Sequence, residues 1–136
     1  MHLHEMSIRK CDGHGCGHYG AGRGGKKTHV GVDLACPPKT LVYSPIAGTV
    51  TKINHMYSDD PSYLYVQVTD SGYDFRVYYV SPLVKVGQQV SKHTIIGEAQ
   101  DLRPRYKGIT PHIHFEIKNA KGDYIDPTPV MLVQRA

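Results

Sequence analysis

The hydrophobic positions of this chain fall into two regimes. Residues 11–27 carry glycine and polar side chains with no apolar repeat at the helical or the strand period, which reads as a loop or an extended arm. From Thr28 onward, short β-prone runs follow one another at 30–34, 40–43, 48–53, 62–69, 74–80, 95–99 and 112–118. Turn formers separate them: Pro37-Pro38, Pro45, Asp59-Asp60-Pro61, Asp70-Ser71-Gly72, Pro82, Gly87 and Lys121-Gly122-Asp123. No helical stripe of useful length interrupts the series. The pattern predicts a mostly β chain, an antiparallel β-sandwich or partly open barrel with a Gly-rich N-terminal arm. Its clearest hairpin is expected at Asp70-Ser71-Gly72, between two alternating runs. Residues 1–6 are expected to form a mobile or loosely packed end, His2 and His4 included.

With 136 residues the chain has room for one domain and one core. The expected layout is an arm over 1–27, a domain over 28–130 and a tail over 131–136. No stretch approaches the roughly 20 apolar residues needed to span a bilayer, so no membrane partner is expected. Met1 to Lys10 lack the apolar run and cleavage site of a secretory signal. A net charge of +4 favours anionic partners such as wall polymers. Apart from Arg23, Lys26 and Lys27 the basic residues are scattered, with no aromatic-interleaved basic motif, so nucleic acid is not expected. The chain is treated as a monomer.

Three cysteines leave at least one unpaired. Cys11 and Cys16, with two glycines between them, can close a short local disulfide and leave Cys36 free. A disulfide implies an oxidising compartment; three reduced thiols in a cytosolic protein is the competing reading.

Two segments carry the chemistry. Thr28 to Leu34 reads as one strand, on which His29, Gly31 and Asp33 share a face while Val30, Val32 and Leu34 face the core. Zinc takes imidazole nitrogen and carboxylate oxygen at about 2.0–2.2 Å, and Gly31 removes the side chain that would fill the gap between the two ligands. Pro111 to Ile117 repeats the pattern, with His112, His114 and Glu116 on one face and Ile113, Phe115 and Ile117 behind. Taken singly, each polar residue is ordinary on an exposed strand; together the two faces point to a shared metal ion. One more imidazole beside His29 and Asp33 gives three protein ligands and an open position, the arrangement of a catalytic zinc site. The remaining histidine is then free to orient a ligand or transfer a proton.

This histidine and aspartate four apart, with a distal pair of histidines, resembles the signature of the lysostaphin-like zinc endopeptidases, peptidase family M23. Tyr43 to Val50, Val84 to Val90 with Ile95-Ile96-Gly97, and Thr110 to Glu116 resemble the family's supporting segments, so the likeness covers residues 28–130. The resemblance implies that His29, Asp33 and His114 hold one Zn2+ and that His112 is catalytic. It further implies hydrolysis of an amide in a peptide stem or cross-bridge of peptidoglycan, in the periplasm or cell wall or after delivery by a phage or secretion route.

One departure bears on catalysis. The family carries another active-site histidine in a Tyr-x-His-Leu context, whereas this chain reads Tyr78-Tyr79-Val80-Ser81-Pro82-Leu83, so that histidine is missing near Ser81. Loss of one acid/base group removes a factor of about a hundred to ten thousand. Cys11 to Tyr19 followed by Arg23 resembles the start of the leukocyte cell-derived chemotaxin 2-like branch of the family, found in animals, bacteria and phages. That branch implies a disulfide between Cys11 and Cys16, no partner for Cys36, and the alternative function of a catalytically impaired zinc-binding interaction module. The arm has two other readings: Cys11, His14, Cys16 and His18 as a second zinc site, or His14 or His18 folding over the groove in place of the missing histidine. Tyr78 and Tyr79 should alternate, one in the core and the other donating a hydrogen bond in the groove. His55 and His93 read as solvated surface residues.

Overall fold

Short alternating runs that cannot bury a face alone must pair into sheets. The computed structural model describes residues 1–23 and 28–129, which hold a 3-10 turn at Leu3–Glu5 and eleven antiparallel strands. These are β1 (Ser7–Ile8), β2 (Val32–Ala35), β3 (Leu41–Tyr43), β4 (Gly48–Tyr57), β5 (Asp60–Asp70), β6 (Tyr73–Tyr78), β7 (Val80–Pro82), β8 (Gln89–Val90), β9 (Ile95–Ala99), β10 (His112–Lys118) and β11 (Tyr124–Ile125). The larger, curled sheet runs β1-β2-β10-β6-β5-β4-β8, with β11 added to β10; the smaller runs β3-β9-β7. The fold is the mostly β, half-barrel architecture that the runs predict.

Both sheets feed one core. Val32 and Leu34 of β2, Ile113, Phe115 and Ile117 of β10, and Val66 and Val77 meet Val42, Val80 and Ile96 of the smaller sheet, all fully buried. The hairpin at Asp70-Ser71-Gly72 is present: Asp70 pairs with Tyr73, and Ser71 and Gly72 both have positive φ, 51° and 83°. This is the primed two-residue turn whose twist matches its strands.

Three features depart from the expected runs. The run at 30–34 enters the sheet only at Val32, because Val30 and Gly31 form a bend. The run at 74–80 breaks at Tyr79, whose φ of 70° sends β6 and β7 into different sheets. The N-terminal residues are not loosely packed: Leu3 and Met6 are 1% and 2% exposed, and β1 extends the large sheet by pairing with β2. Two isolated apolar side chains have no periodicity, so the packing of this end is invisible to pattern.

Residues 11–23 form no strand but are tied down by backbone bonds. The Gly20 N–H donates to His29 O (2.8 Å), the His29 N–H to Ala21 O (2.8 Å) and the Asp33 N–H to Gly17 O (2.8 Å). Cys11 and Cys16 are joined, which removes the four-residue zinc site as a reading of the arm. Cys36 is free and buried, and burial pushes its thiol up to about 11, so it is inert. Lys26, Lys27 and the tail 131–136 lie outside the described residues.

Truncating Leu3 to alanine is expected to cost about 2–5 kcal/mol, as for other core leucines. Urea denaturation checks this, and a cost below about 0.5 kcal/mol, ordinary for a surface site, would return residues 1–6 to the status of a loose end.

Candidate functional site

The pairing of β2 with β10 decides which polar side chains meet. His114 lies directly opposite Asp33, and Ile113 opposite Leu34, so the polar faces of the two strands coincide and their apolar faces share the core. On the other side of β10, Tyr78 of β6 is opposite His114. His29 reaches the same spot from outside the strand, through the bend at Val30 and Gly31. A Cβ at Gly31 would sit 2.4 Å from Phe115 O and 2.8 Å from His114 Nε2, so this position has room for hydrogen alone.

Three atoms converge. His114 Nδ1 is 2.9 Å from Asp33 Oδ1 and 3.0 Å from His29 Nε2, which is 3.1 Å from Asp33 Oδ1. The outer nitrogens fix the tautomers. His29 Nδ1–H donates to His18 O (3.0 Å), and His114 Nε2–H donates to Glu116 Oε1 (2.9 Å). With those protons spoken for, the inner atoms of neutral rings present lone pairs to one another, and only a proton or a cation between them resolves the repulsion.

This donor set fits zinc. The edge of a tetrahedron with bonds near 2.0–2.1 Å is about 3.3–3.4 Å, close to the three separations here, and Glu116 backs His114 as a carboxylate backs a metal-bound imidazole. Among the described residues, His29, Asp33 and His114 are the group able to share a metal ion. In the metal-free chain a proton fills the gap. Burial opposes charge on His114, but hydrogen bonds to Asp33 and Glu116 outweigh it and raise the pKa to about 9. Burial would likewise raise Asp33, yet its short contacts with the His114 and His29 rings hold it well below the usual carboxylate range. Its other oxygen, Oδ2, is gripped by the buried Arg9.

His112 sits beside this triangle, buried, with Nε2 3.6 Å from Asp33 Oδ2. Its Nδ1–H donates to Thr110 O (2.7 Å), which leaves Nε2 as a lone pair. Burial lowers its pKa, the nearby Asp33 only partly opposing this, so the ring is neutral at pH 7.

The site opens into a cavity of about 490 Å³ walled by these residues and by Met56, Tyr57, Tyr79 and Tyr106. Tyr78 and Tyr79 are both half-buried, and Tyr79 packs against the small apolar cluster of Tyr63, Leu102 and Ile109. The left-handed backbone at Tyr79 breaks the alternation, and both rings face the cavity, Tyr78 edge-on to His114 (5.2 Å between centroids) and Tyr79 edge-on to His112 (5.7 Å). The Tyr79 hydroxyl is 2.8 Å from that of Tyr57, which is 2.6 Å from that of Tyr106. Burial pushes Tyr79 up to about 12, keeping its phenol protonated. Ser81 is exposed and lines a different cavity, so in the segment that lacks the histidine the side chains facing the site are Tyr78, against His114, and Tyr79, against His112.

Other sequence-predicted residues are placed as follows. His14 lies on the cavity wall, its Nε2–H donating to Lys107 O (2.7 Å) and its ring against Tyr106. His18 is exposed and meets His29 through its backbone carbonyl. His55 and His93 are exposed, as expected. Arg9, Tyr57 and Tyr106 were not signalled by any local pattern. Glu116 was readable as a neighbour of His114 on the same strand face, though its partner role was not.

Comparison with known proteins agrees with this geometry. The model of peptidase family M23 matches residues 27–127. The chain is 34% identical over 122 residues to leukocyte cell-derived chemotaxin-2 of Bos taurus, covering 89% of this chain and 77% of that protein. It is 34% identical to myeloid protein 1 of Gallus gallus, covering 89% of this chain and 36% of that protein. In structure it resembles the catalytic domain of the antimicrobial peptidase lysostaphin from Staphylococcus simulans, with a TM-score of 0.69, 23% identity, and 96% and 95% of the two chains covered. LytU aligns with the same TM-score of 0.69 at 22% identity, over 90% and 85% of the chains. This chain belongs to peptidase family M23.

Proposed function

We propose that this chain is a zinc-dependent metalloendopeptidase acting on peptide stems or cross-bridges of peptidoglycan, with His29, Asp33 and His114 holding one zinc ion and His112 as the catalytic base. The observation that carries the reading is His112. Zinc binding alone does not need it, yet it is buried beside the ligands in a fixed tautomer with its free nitrogen toward them.

When bound, zinc supplies Lewis-acid polarisation of the scissile carbonyl and lowers the pKa of a water at the open position. His112 Nε2 takes the proton of the attacking water, and Thr110 O holds the ring in the tautomer that can do so. Tyr79, its phenol protonated, donates a hydrogen bond to the oxygen on which negative charge develops. His14, on the cavity wall, is an accessory contact to the substrate, whereas His18 does not line that cavity. The Cys11–Cys16 disulfide supports an extracytoplasmic setting, and among the described residues no helix is long and apolar enough to cross a membrane.

A second reading is favoured by Tyr79 itself. A phenol with a pKa near 12 donates but does not accept a proton at neutral pH, so a pattern that relies on an imidazole there is weakened. On this reading the chain is a zinc-binding interaction module with impaired catalysis, in keeping with its likeness to leukocyte cell-derived chemotaxin-2.

Zinc-loaded protein is expected to release muropeptides from purified sacculi, with His112→Ala lowering the rate about a hundred- to ten-thousand-fold and leaving one zinc bound, and His114→Ala losing both metal and activity. A zinc-bound wild type that releases nothing establishes the interaction-module reading instead.

Metal removal has a pH signature. In the metal-free chain the raised pKa of His114, about 9, exceeds its ordinary value near 6.5. Its contribution to stability is complete below about pH 6.5 and is lost as pH rises through about 9. Zinc requires the same nitrogen without its proton, so apparent zinc affinity should climb close to ~tenfold per pH unit across that window. Isothermal titration at a series of pH values reads this slope, and a flat profile contradicts the assigned ligand.

A further inference from the structure

The carboxylate of Asp33 is held from behind as firmly as from the front. Arg9 is 3% exposed, and its Nε and Nη2 donate to Asp33 Oδ2 at 3.2 and 3.1 Å. The third nitrogen, Nη1, donates to Gly15 O (3.0 Å) and pairs with Asp12 Oδ2 (2.8 Å). A second guanidinium, Arg23, lies 3.5 Å from the same Asp33 oxygen while donating to Cys16 O (2.7 Å). Asp12, Gly15 and Cys16 all belong to the loop closed by the Cys11–Cys16 disulfide.

Two physical consequences follow. A buried guanidinium is tolerable only with its N–H groups matched, so the loop that supplies Gly15 O and Asp12 also fixes where the fork points. That fork saturates Oδ2 and leaves Oδ1 as the oxygen directed at His29 and His114. Asp33 cannot turn to offer both oxygens to a cation while Arg9 holds one. The loop carrying these acceptors is largely solvent-facing, with Cys11, Gly13 and His14 exposed, so its covalent closure substitutes for core packing.

We propose that Arg9, steered by the disulfide-closed loop, is a positioning residue that makes Asp33 a one-oxygen ligand and so keeps the fourth coordination position open. The inference rests on the reading that His29, Asp33 and His114 share a divalent cation. It assigns the arm to the metal centre, although no arm side chain is among the three candidate ligands.

Cobalt(II) substitution tests it, because four-coordinate cobalt absorbs several-fold more strongly in the visible than five- or six-coordinate cobalt. Wild-type protein should show the intense four-coordinate band. Arg9→Lys keeps a positive charge but loses the two-pronged grip; in it the band should weaken several-fold as the second oxygen of Asp33 enters, and zinc affinity in chelator competition should fall by about tenfold or more. The Cys11→Ser/Cys16→Ser double variant, altered away from the metal, should move both readouts in the same direction. Arg9→Met removes both short bonds to Asp33 Oδ2 and leaves the longer Arg23 contact, so it is informative only alongside circular dichroism, and the other two variants carry the test. Lys and double-Ser variants that keep the wild-type band and affinity overturn the proposal, even with a lowered Tm, since a merely structural role predicts that combination. A wild-type chain that takes up neither cobalt nor zinc overturns the metal reading and this inference with it.

Discussion

The register between β2 and β10 is the constraint on which everything else depends. Setting His114 across from Asp33 stacks two polar faces at one spot and in the same stroke buries Val32, Leu34, Ile113, Phe115 and Ile117. A slip of one residue would reverse both, placing imidazoles in the core and isoleucine on the cavity floor. Core packing and ligand geometry are therefore enforced by one set of hydrogen bonds. That economy explains how so small a chain can hold three ligand atoms within about 3 Å of each other without a dedicated scaffold.

Around that pairing the chain arranges a graded set of polar supports. Glu116 and the His18 carbonyl take the outer protons of two ring ligands, Thr110 does the same for His112, and Arg9 takes the rear of the carboxylate. Each of these acceptors or donors settles a choice the side chain would otherwise leave open, which ring nitrogen carries hydrogen or which oxygen faces inward. Among the described residues, Glu116 Oε2 is buried with no hydrogen-bond partner, in a pocket it shares with Tyr78 and within the field of Arg76.

Much of this was legible in the residues. Strand periodicity was enough to put His114 and Glu116 on one face, Gly31 signalled room between the ligands, and Asp70-Ser71-Gly72 announced a hairpin. What escaped had a common cause. Leu3 and Met6 are single apolar side chains without a repeat, Arg9 acts on a residue far along the chain, and Tyr79 hides a break inside an otherwise continuous β-prone run. His29 lies beside Asp33 by another route than the one its sequence pattern suggests, a bend and not strand alternation. Local pattern reports faces of regular elements, and it is silent where the chain leaves them.

The left-handed backbone at Tyr79 also bears on which side chains this position accepts. Histidine is several-fold enriched among non-glycine residues in this region of backbone space, so an imidazole could occupy position 79 with no remodelling of β6 or β7. Tyrosine and histidine codons differ by a single base. The backbone at position 79 is thus already shaped for either a phenol or an imidazole at the mouth of the site, and a single base change separates the two.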